Sequence, residues 1–385
     1  MPSRTNAIAT GIVYENPKPY LRSIVAYHPS LVILSETEFL ATFDVGEAVE
    51  SLDYHTVVAR SKDAGRTWLL EGPVLHDPPP RTSHTIRTSR LGNGTLVGFG
   101  ACFHRDDSEA GLINRQTVGF VPTDLFFVRS EDGGRSWTSP QAIMPPLIGP
   151  SWELCHPVVE LRDGRWIAPT ATWRGWRGEN PSGDQTVVLI SDDLGETWPI
   201  YGRVFDGRKT GQSHLEVSVA QLDDGRILAV SWVHDLTKGK NFPSEYSISE
   251  SRGERFSEPM LTGFNAQTCK LIQLDNGLIF CAFRDSERRG LWARTARLRR
   301  ETWENLSEIS LWQGAETGMR GRSSSAEELS ALKFGCPSIK QLSNGEVLLL
   351  LWCQEDCLTH IRWIRIQVDQ GVDSTQRGAG RLLIL

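Results

Sequence analysis

The sequence predicts an all-β protein, a six-bladed β-propeller built from four-stranded blades. Three observations lead to this prediction. A hairpin-turn motif recurs along the 385 residues, a unit of two apolar strands joined by a tight turn recurs six times, and no helical periodicity of useful length competes with them. Repeated units that cannot bury their apolar faces alone, and that each supply a few strands, are typical of propellers.

The hairpin-turn motif has the form Ser-x-Asp-x-Gly-x-Thr/Ser-Trp. It occurs at Ser61–Trp68, Ser130–Trp137 and Ser191–Trp198, with a decayed fourth copy at Ser249–Phe256. Serine and aspartate side chains bond to nearby backbone N–H groups, and glycine permits a positive φ. The motif therefore predicts a hairpin turn in each of four blades, with its tryptophan or phenylalanine beside the core.

The two-strand unit carries β-branched and apolar residues on both sides of a turn that reads Leu-x-Asp/Asn-Gly in five of six copies. The leucines that anchor the six units are Leu34, Leu91, Leu161, Leu222, Leu274 and Leu342. Their spacings of 57, 70, 61, 52 and 68 residues are about what four strands and their loops require. Two inner strands plus two outer strands per unit give six blades.

The last two units lack the Ser/Asp turn, so their outer strands must come from other segments. We expect Gly290–Trp303 and Leu358–Asp369 to supply them. The segment Ala7–Glu15, which precedes the first unit, is expected to complete the last blade and close the ring. The prediction is a single domain over residues 1–385, with a loosely attached tail from about Gln370.

Composition excludes several classes of partner. The net charge is −6 and there is no long basic block, which argues against nucleic acid and anionic membranes as partners. No apolar run is long enough to span a bilayer, and no leader segment is evident. The seven cysteines show no ligand spacing typical of zinc sites. We expect a reduced, cytoplasmic protein with no metal and no cofactor; the oligomeric state stays open.

The Ser/Asp turns are similar to the Asp boxes (BNR repeats) of the sialidase superfamily, which the chain resembles over nearly its whole length. The resemblance implies that the Asp boxes lie at the rim of the propeller and carry no chemistry. It also implies an active site with three arginines that grip the substrate carboxylate, a tyrosine nucleophile paired with a glutamate, and an aspartate acid/base.

The sequence departs from that site at most of its positions. Glu216 matches the superfamily's glutamate. Tyr27 and Trp232 stand where two of the arginines are expected, Cys336 stands where the tyrosine is expected, and Arg284 is the only arginine near a third position. With two arginines and the nucleophile missing, we do not expect sialic acid cleavage.

Candidate site residues come from the starts of the inner strands and the ends of the second strands, which should converge on one face around the propeller axis. They are imidazoles, carboxylates, indoles and a few others, and such a set suits sugar binding. The catalytic candidates are Glu216, Glu153, Asp53, His84 and His156. The substrate-binding candidates are Tyr27, His28, Trp152, Trp173, His214, Trp232 and Arg284.

The sequence favours a glycoside hydrolase that acts on a non-sialic glycoside through paired carboxylates, as related exo-arabinanases of this architecture do. Glu216 is expected to be the ionised member, and Glu153 or Asp53 the acid. Asp53 lies in the loop that often holds the superfamily's acid/base. Three alternatives stay open: a polysaccharide lyase or single-histidine glycosidase acting on a uronic-acid-containing glycan, a divergent exo-α-sialidase, and a non-catalytic glycan-binding propeller. The expected partner is an oligosaccharide or glycoside.

Overall fold

The computed structural model describes residues 5–154, 156–236, 238–285, 287–313 and 334–368. These residues form six main antiparallel sheets, which confirms the predicted six-bladed propeller. The predicted loose tail from Gln370 lies outside the described residues. Helix within the described ranges is limited to a single turn, α1 (Gly207–Thr210), and none of it is long and apolar enough to cross a membrane.

The strands of the first half of the chain are numbered in chain order. They are β1 (Thr5–Tyr14), β2 (Val25–Ile33), β3 (Phe39–Gly46), β4 (His55–Ser61), β5 (Leu69–Pro73), β6 (Thr82–Arg90), β7 (Leu96–His104), β8 (Ile113–Asn114), β9 (Gly119–Phe120), β10 (Thr123–Ser130), β11 (Gln141–Ala142), β12 (Ser151–Glu153), β13 (Val159–Glu160), β14 (Trp166–Trp173), β15 (Gln185–Ser191) and β16 (Ile200–Asp206).

The second half of the chain continues the same numbering. Its strands are β17 (Ser213–Gln221), β18 (Ile227–Asp235), β19 (Lys240–Ser249), β20 (Met260–Leu261), β21 (Gln267–Gln273), β22 (Ile279–Asp285), β23 (Gly290–Arg299), β24 (Thr302–Trp312), β25 (Phe334–Gln341), β26 (Val347–Glu355) and β27 (Leu358–Val368).

Each blade runs outward from an inner strand. Blades one, four and five are β2-β3-β4-β5, β17-β18-β19-β20 and β21-β22-β23-β24. Blade two is β6-β7-β10-β11, because the small hairpin β8–β9 is inserted after its second strand. In blade three the inner strand is broken into β12 and β13, which both pair with β14 ahead of β15 and β16.

Blade six closes the ring as the sequence predicts. Its order is β25-β26-β27-β1, and β1 pairs antiparallel with β27 along its length, from Thr5 opposite Val368 to Tyr14 opposite Ile361. The inner strands β2 and β25 also contact each other, so the first and last blades are neighbours. A strand from the start of the chain therefore covers the outer edge of the last blade, where unpaired backbone groups would otherwise remain.

In the described part of the chain, the six largest apolar clusters of the core lie one between each pair of neighbouring blades. Phe99, Phe283 and Phe334, which belong to three different clusters, are all completely buried. Alternating side chains of each twisted sheet supply both of its faces to these clusters. The ring is thus held by blade-to-blade packing along its whole circumference.

The repeated turns have the chemistry that their sequences predict. In the five Leu-x-Asp/Asn-Gly turns the glycine has a positive φ and its N–H donates to the leucine carbonyl, as Gly164 does to Leu161 at 2.9 Å. In the first Asp box, Asp63 accepts from the Thr67 amide at 2.9 Å and from its hydroxyl at 2.6 Å. The boxes at Asp132 and Asp193 repeat both bonds.

Four inner strands share an irregularity at the same place. In four blades, the inner strand shifts its register against the second strand near its start, as in a β-bulge. These inner strands are β2, β17, β21 and β25. At each shift one residue other than glycine has a positive φ: His28 (51°), Glu216 (53°), Thr268 (51°) and Cys336 (41°). This conformation costs about 1–2 kcal/mol per residue, and such strain is concentrated at functional sites.

Candidate functional site

The starts of the inner strands surround a cavity of about 240 Å³, called here the site cavity. Strand ends and loops of blades one to four and of blade six contribute to it, together with the β8–β9 hairpin. Its polar lining residues are His28, Glu50, Thr85, Arg87, Glu153 and Glu216, and its aromatic ones are Tyr27, Tyr54, Phe103, Phe120, Trp152, Trp173, Trp232 and Trp352.

Glu153 and Glu216 are direct neighbours in this cavity. The carboxylate Oε2 of Glu153 accepts a hydrogen bond from the backbone N–H of Glu216 at 2.9 Å. Burial, and then the negative charge of Glu216, raise the pKa of Glu153 to about 8, against smaller opposing effects of that hydrogen bond and of Lys270. Glu153 therefore carries a proton at neutral pH, as a general acid must.

Glu216 is held by the strained backbone of its β-bulge and by Cys336. The Cys336 thiol lies 3.6 Å from the Glu216 carboxylate oxygen Oε1 and donates to it. The second oxygen, Oε2, is enclosed and has no hydrogen-bond partner among the described residues. Burial and the charge of Glu216 raise the pKa of Cys336 to about 12, so this sulfur stays a thiol and is a poor nucleophile.

A third carboxyl group, that of Asp44, lies behind the cavity wall and is completely buried. It accepts from the hydroxyls of Thr56 and Thr85 at 2.6 Å each and from Arg87 Nη1 at 3.1 Å. Burial would raise the pKa of Asp44, but the charge of Arg87 and the hydrogen bond of His28 lower it to about 2. Asp44 is thus a permanent anion that fixes its neighbours.

His28 and Tyr54 form the polar corner of the cavity next to Asp44. The imidazole Nδ1 of His28 lies 2.7 Å from the Tyr54 hydroxyl and 3.3 Å from Asp44 Oδ2. Burial lowers the pKa of His28 and raises that of Tyr54 well above its usual value. Both groups are therefore neutral near pH 7, and the tyrosine hydroxyl donates to Asp44 at 3.2 Å.

The opposite walls are apolar and aromatic. Trp173, Leu215 and Trp232 form a small buried cluster that Phe120 contacts. On the other side Tyr27 meets Trp352 edge-on, with ring centroids 4.5 Å apart. Indole and phenol faces stack on the C–H faces of sugar rings, so these walls suit a sugar between them.

The β8–β9 hairpin covers one side of the cavity and lines it with Leu112, Ile113, Val118 and Phe120. The hairpin bonds to the β14–β15 loop of blade three, where Phe120 N–H donates to the Arg174 carbonyl at 2.8 Å. It also bonds to the β3–β4 loop of blade one, where Glu50 Oε2 accepts from the amide of Leu112 at 2.6 Å. The insertion therefore encloses the cavity by joining three blades.

Seven of the twelve candidate residues come together in the site cavity. These are Tyr27, His28, Trp152, Glu153, Trp173, Glu216 and Trp232. The other five, Asp53, His84, His156, His214 and Arg284, do not line it. The expectation that all of them converge on one face therefore holds only in part.

Two of those five face other surroundings altogether. Asp53 is exposed and accepts from the backbone N–H of Glu47 at 3.1 Å, which holds its own loop together. His156 lines a second cavity, formed by the inner strands of all six blades and called here the axial cavity. Burial and the charge of Lys270 lower the pKa of His156 to about 3, so it is neutral.

The remaining three are buried inside the blades. His84 lies beside Thr56, and burial lowers its pKa to about 4. His214 bonds to Glu245 at 2.7 Å and stacks on a phenylalanine ring. Arg284 donates to the side chain of Gln267, and its guanidinium carbon lies 5.9 Å from the Trp232 ring. These contacts give each of them a structural partner.

Seven polar or aromatic lining residues were missed from the sequence: Glu50, Tyr54, Thr85, Arg87, Phe103, Phe120 and Trp352. Trp352 had a detectable signal, because it lies near the end of the second strand of its blade, as Trp173 and Trp232 do. Arg87 is on the inner strand of blade two. Nothing in the sequence indicated that Glu50 lines the cavity. Its position depends on the β8–β9 hairpin, to which its carboxylate bonds.

One group outside the cavity brings three possible metal ligands together within the described ranges. Cys353, Glu355 and His360 place one ligand atom each within 4.8 Å of one another. Trp312 Nε1 already donates to Glu355 at 2.6 Å, and Arg362 pairs with the same carboxylate. A guanidinium at this position opposes a metal cation, and the expected absence of a metal stays a prediction.

Comparison with solved structures shows likeness of fold at low identity. An unknown-function protein from Dyadobacter fermentans DSM 18053 has a TM-score of 0.73 and 20% identity, over 94% of this chain and 99% of that one. The Hadza microbial sialidase Hz136 has a TM-score of 0.64 and 17% identity, over 89% and 65%. The Penicillium chrysogenum α-L-arabinanase, solved with arabinobiose, has a TM-score of 0.64 and 14% identity, over 94% and 98%.

These likenesses confirm the predicted resemblance to the sialidase superfamily at the level of the fold. No curated protein matches the chain. A family model, the BNR repeat-like domain, matches residues 112–349, which is more than half of the chain. The chain therefore belongs to the BNR repeat-like domain family.

Proposed function

We propose that this protein is a glycoside hydrolase that cleaves a glycoside without a carboxylate on its reacting sugar. The observation that carries the proposal is the pair of glutamates in the site cavity. Glu153 is protonated at neutral pH because burial and its neighbour raise its pKa to about 8. Two neighbouring carboxyl groups that share one proton are the acid and base of most glycosidases.

The roles of the two glutamates follow from their contacts. Glu153 donates its proton to the leaving glycosidic oxygen. Glu216 acts as base or nucleophile, because its Oε1 is engaged by the Cys336 thiol while Oε2 has no partner in the described part of the chain. Because Oε2 is enclosed, the Glu216 side chain has to turn before this oxygen can reach a water or the anomeric carbon.

The walls support a neutral sugar. Among the described residues that line the site cavity, Arg87 is the only arginine, and its Nη1 pairs with Asp44 at 3.1 Å. A carboxylate substrate needs a cationic grip, which the aromatic residues Tyr27 and Trp232 do not provide. The arabinanase of the same fold was solved with arabinobiose, an uncharged disaccharide, so arabinosides are among the first substrates to test.

A second function has one observation in its favour. His28 and Tyr54 lie 2.7 Å apart in the cavity, and Arg87 also lines it. A polysaccharide lyase needs a histidine or tyrosine to remove the proton α to a uronic carboxylate, and a cation to neutralise that carboxylate. The hydrolase is favoured over it because the charge of Arg87 is already balanced by Asp44.

The test is a panel of aryl glycosides and oligosaccharides, including α-L-arabinofuranosides, an α-sialoside and a uronic-acid polymer. Hydrolysis is followed by reducing sugar, and elimination by the absorbance of unsaturated uronates. We expect hydrolysis of a neutral glycoside that Glu153→Gln and Glu216→Gln both abolish. The matched control is Glu131→Gln, at an exposed turn position, which should keep full activity.

Other results would assign the alternatives. Unsaturated products that depend on His28 would identify a lyase. Turnover of the α-sialoside would identify a divergent sialidase. Saturable sugar binding without any product would identify a glycan-binding propeller. The proposal of a hydrolase for neutral glycosides fails in each of these cases.

A further inference from the structure

The axial cavity is separate from the site cavity and has a volume of about 760 Å³. Residues from the inner strands of all six blades line it, and it extends to the glycine turns of blades two to four. Arg87 lines both cavities, and Cys336, which donates to Glu216, lines the axial one. The axial cavity therefore lies directly behind the glutamate pair.

The rim of this cavity has balanced charges. Arg162 and Asp223 pair with each other at 3.2 Å, and both side chains are more than half exposed. Glu160 accepts from the backbone N–H of Gly92 at 2.6 Å. Arg90 donates to backbone carbonyls. The charged side chains at the rim therefore compensate one another, and they leave the two lysines that also line the cavity without a matching negative charge there.

The remaining positive charge is at Lys270, which is buried, and at Lys340, which is partly buried. Lys270 is 8% exposed, and its Nζ is enclosed without a hydrogen-bond partner among the described residues. Burial lowers the pKa of Lys340. His156, Lys270 and Lys340 all line the axial cavity, and the charges of both lysines lower the pKa of His156. Burying an unpaired ammonium group is costly, and an anion between the lysines would remove that cost.

We propose that the axial cavity binds a small oxyanion of the phosphate or carboxylate type between Lys270 and Lys340. The phosphate and carboxylate groups offer several acceptor oxygens, which match two ammonium donors. His156 is neutral and donates from Nδ1 to the Pro157 carbonyl at 2.9 Å, so its Nε2 is an acceptor and the two lysines supply the donors to the anion. This site does not depend on the glycosidase proposal.

The test measures Tm of the full chain while inorganic phosphate or acetate is added at constant ionic strength. A ligand that binds only the folded state raises Tm as its concentration passes Kd. We expect a saturable rise of several degrees through the millimolar range for phosphate or acetate, and which of the two acts at lower concentration identifies the preferred group. Calorimetric titration should give one site per chain.

Variants locate the site. Lys270→Met and Lys340→Met should each weaken binding at least about tenfold, which corresponds to losing one charge-assisted contact. Arg162→Met removes a positive charge at the rim and should bind as the wild type does. If Lys270→Met does not fold, Lys340→Met decides. The proposal is wrong if the Tm rise does not saturate, if neither anion binds, or if the lysine variants bind normally.

Discussion

Replacing Glu153 with glutamine should stabilise the protein at alkaline pH, although it removes the proposed acid. The raised pKa means that the folded state holds a proton on Glu153 that the unfolded state has released between pH 4.5 and about 8. Stability of the wild type therefore falls as pH rises through this range. Since one pH unit corresponds to about 1.4 kcal/mol, the full penalty is about 5 kcal/mol above pH 8.

Glutamine removes this penalty and keeps the acceptor that Glu153 Oε2 offers to the Glu216 amide. The free energy of unfolding in urea, measured from pH 4 to pH 9, should be equal for the two proteins at the acid end. At the alkaline end the variant should be more stable by several kcal/mol. Glu216→Gln removes the neighbouring negative charge, so it should reduce the pH dependence without removing it. Glu131→Gln should follow the wild type throughout.

The same ionisation should appear in catalysis. On a substrate that the enzyme turns over, kcat/KM should fall as pH rises past about 8, where Glu153 loses the proton that it donates. If the wild type and Glu153→Gln keep a constant stability difference from pH 4 to pH 9, the buried carboxyl is not protonated at neutral pH. The assignment of Glu153 as the acid is then wrong.

Three further predictions concern other parts of the molecule. Asp132→Ala should lower stability by about 1–2 kcal/mol with unchanged activity, because Asp132 bonds only its own turn; lost activity at an unchanged Tm would contradict this structural role. An aryl α-sialoside should not be turned over, and robust release of aglycone that Glu216→Gln abolishes would refute this. Phe120→Ala should open the hairpin wall and raise KM by about tenfold, the loss of a buried ring contact; a fall in kcat alone would show that the ring does not bind the ground state.

The fold could be predicted because its signals are local. Each glycine turn is made within four residues, as Gly164 N–H bonds to the Leu161 carbonyl, and each Asp box within eight. Turns of this kind can be predicted from their residue types, and they determine where the strands begin and end. The number of turns then gives the number of blades. Insertion of the β8–β9 hairpin had no such signal and was not predicted.

The site could be predicted only in part, because side-chain direction alternates along a strand. Thr85 and Arg87, two residues apart on β6, both line the site cavity, whereas His84 faces away into the blade. His214 likewise contacts Glu245 while the next residue lines the cavity. Candidates chosen by residue type near a strand start therefore include some whose side chains point to the other face of the sheet. Glu216 faces the cavity at a β-bulge where its φ is positive. Glutamate does not favour a positive φ, so the residue type did not predict this bulge.

Aromatic residues stand at two positions where the sialidase resemblance implies arginines, and this agrees with the charges around the site cavity. These two residues, Tyr27 and Trp232, both line the site cavity. Cys336, at the position where the resemblance implies the tyrosine, donates to Glu216. The charge of Arg87 is cancelled by Asp44. The negative charge of Glu216, which raises the pKa of Glu153, would also repel a carboxylate on a substrate. This arrangement supports the proposed function, because an uncharged sugar ring between the aromatic walls would meet no such repulsion.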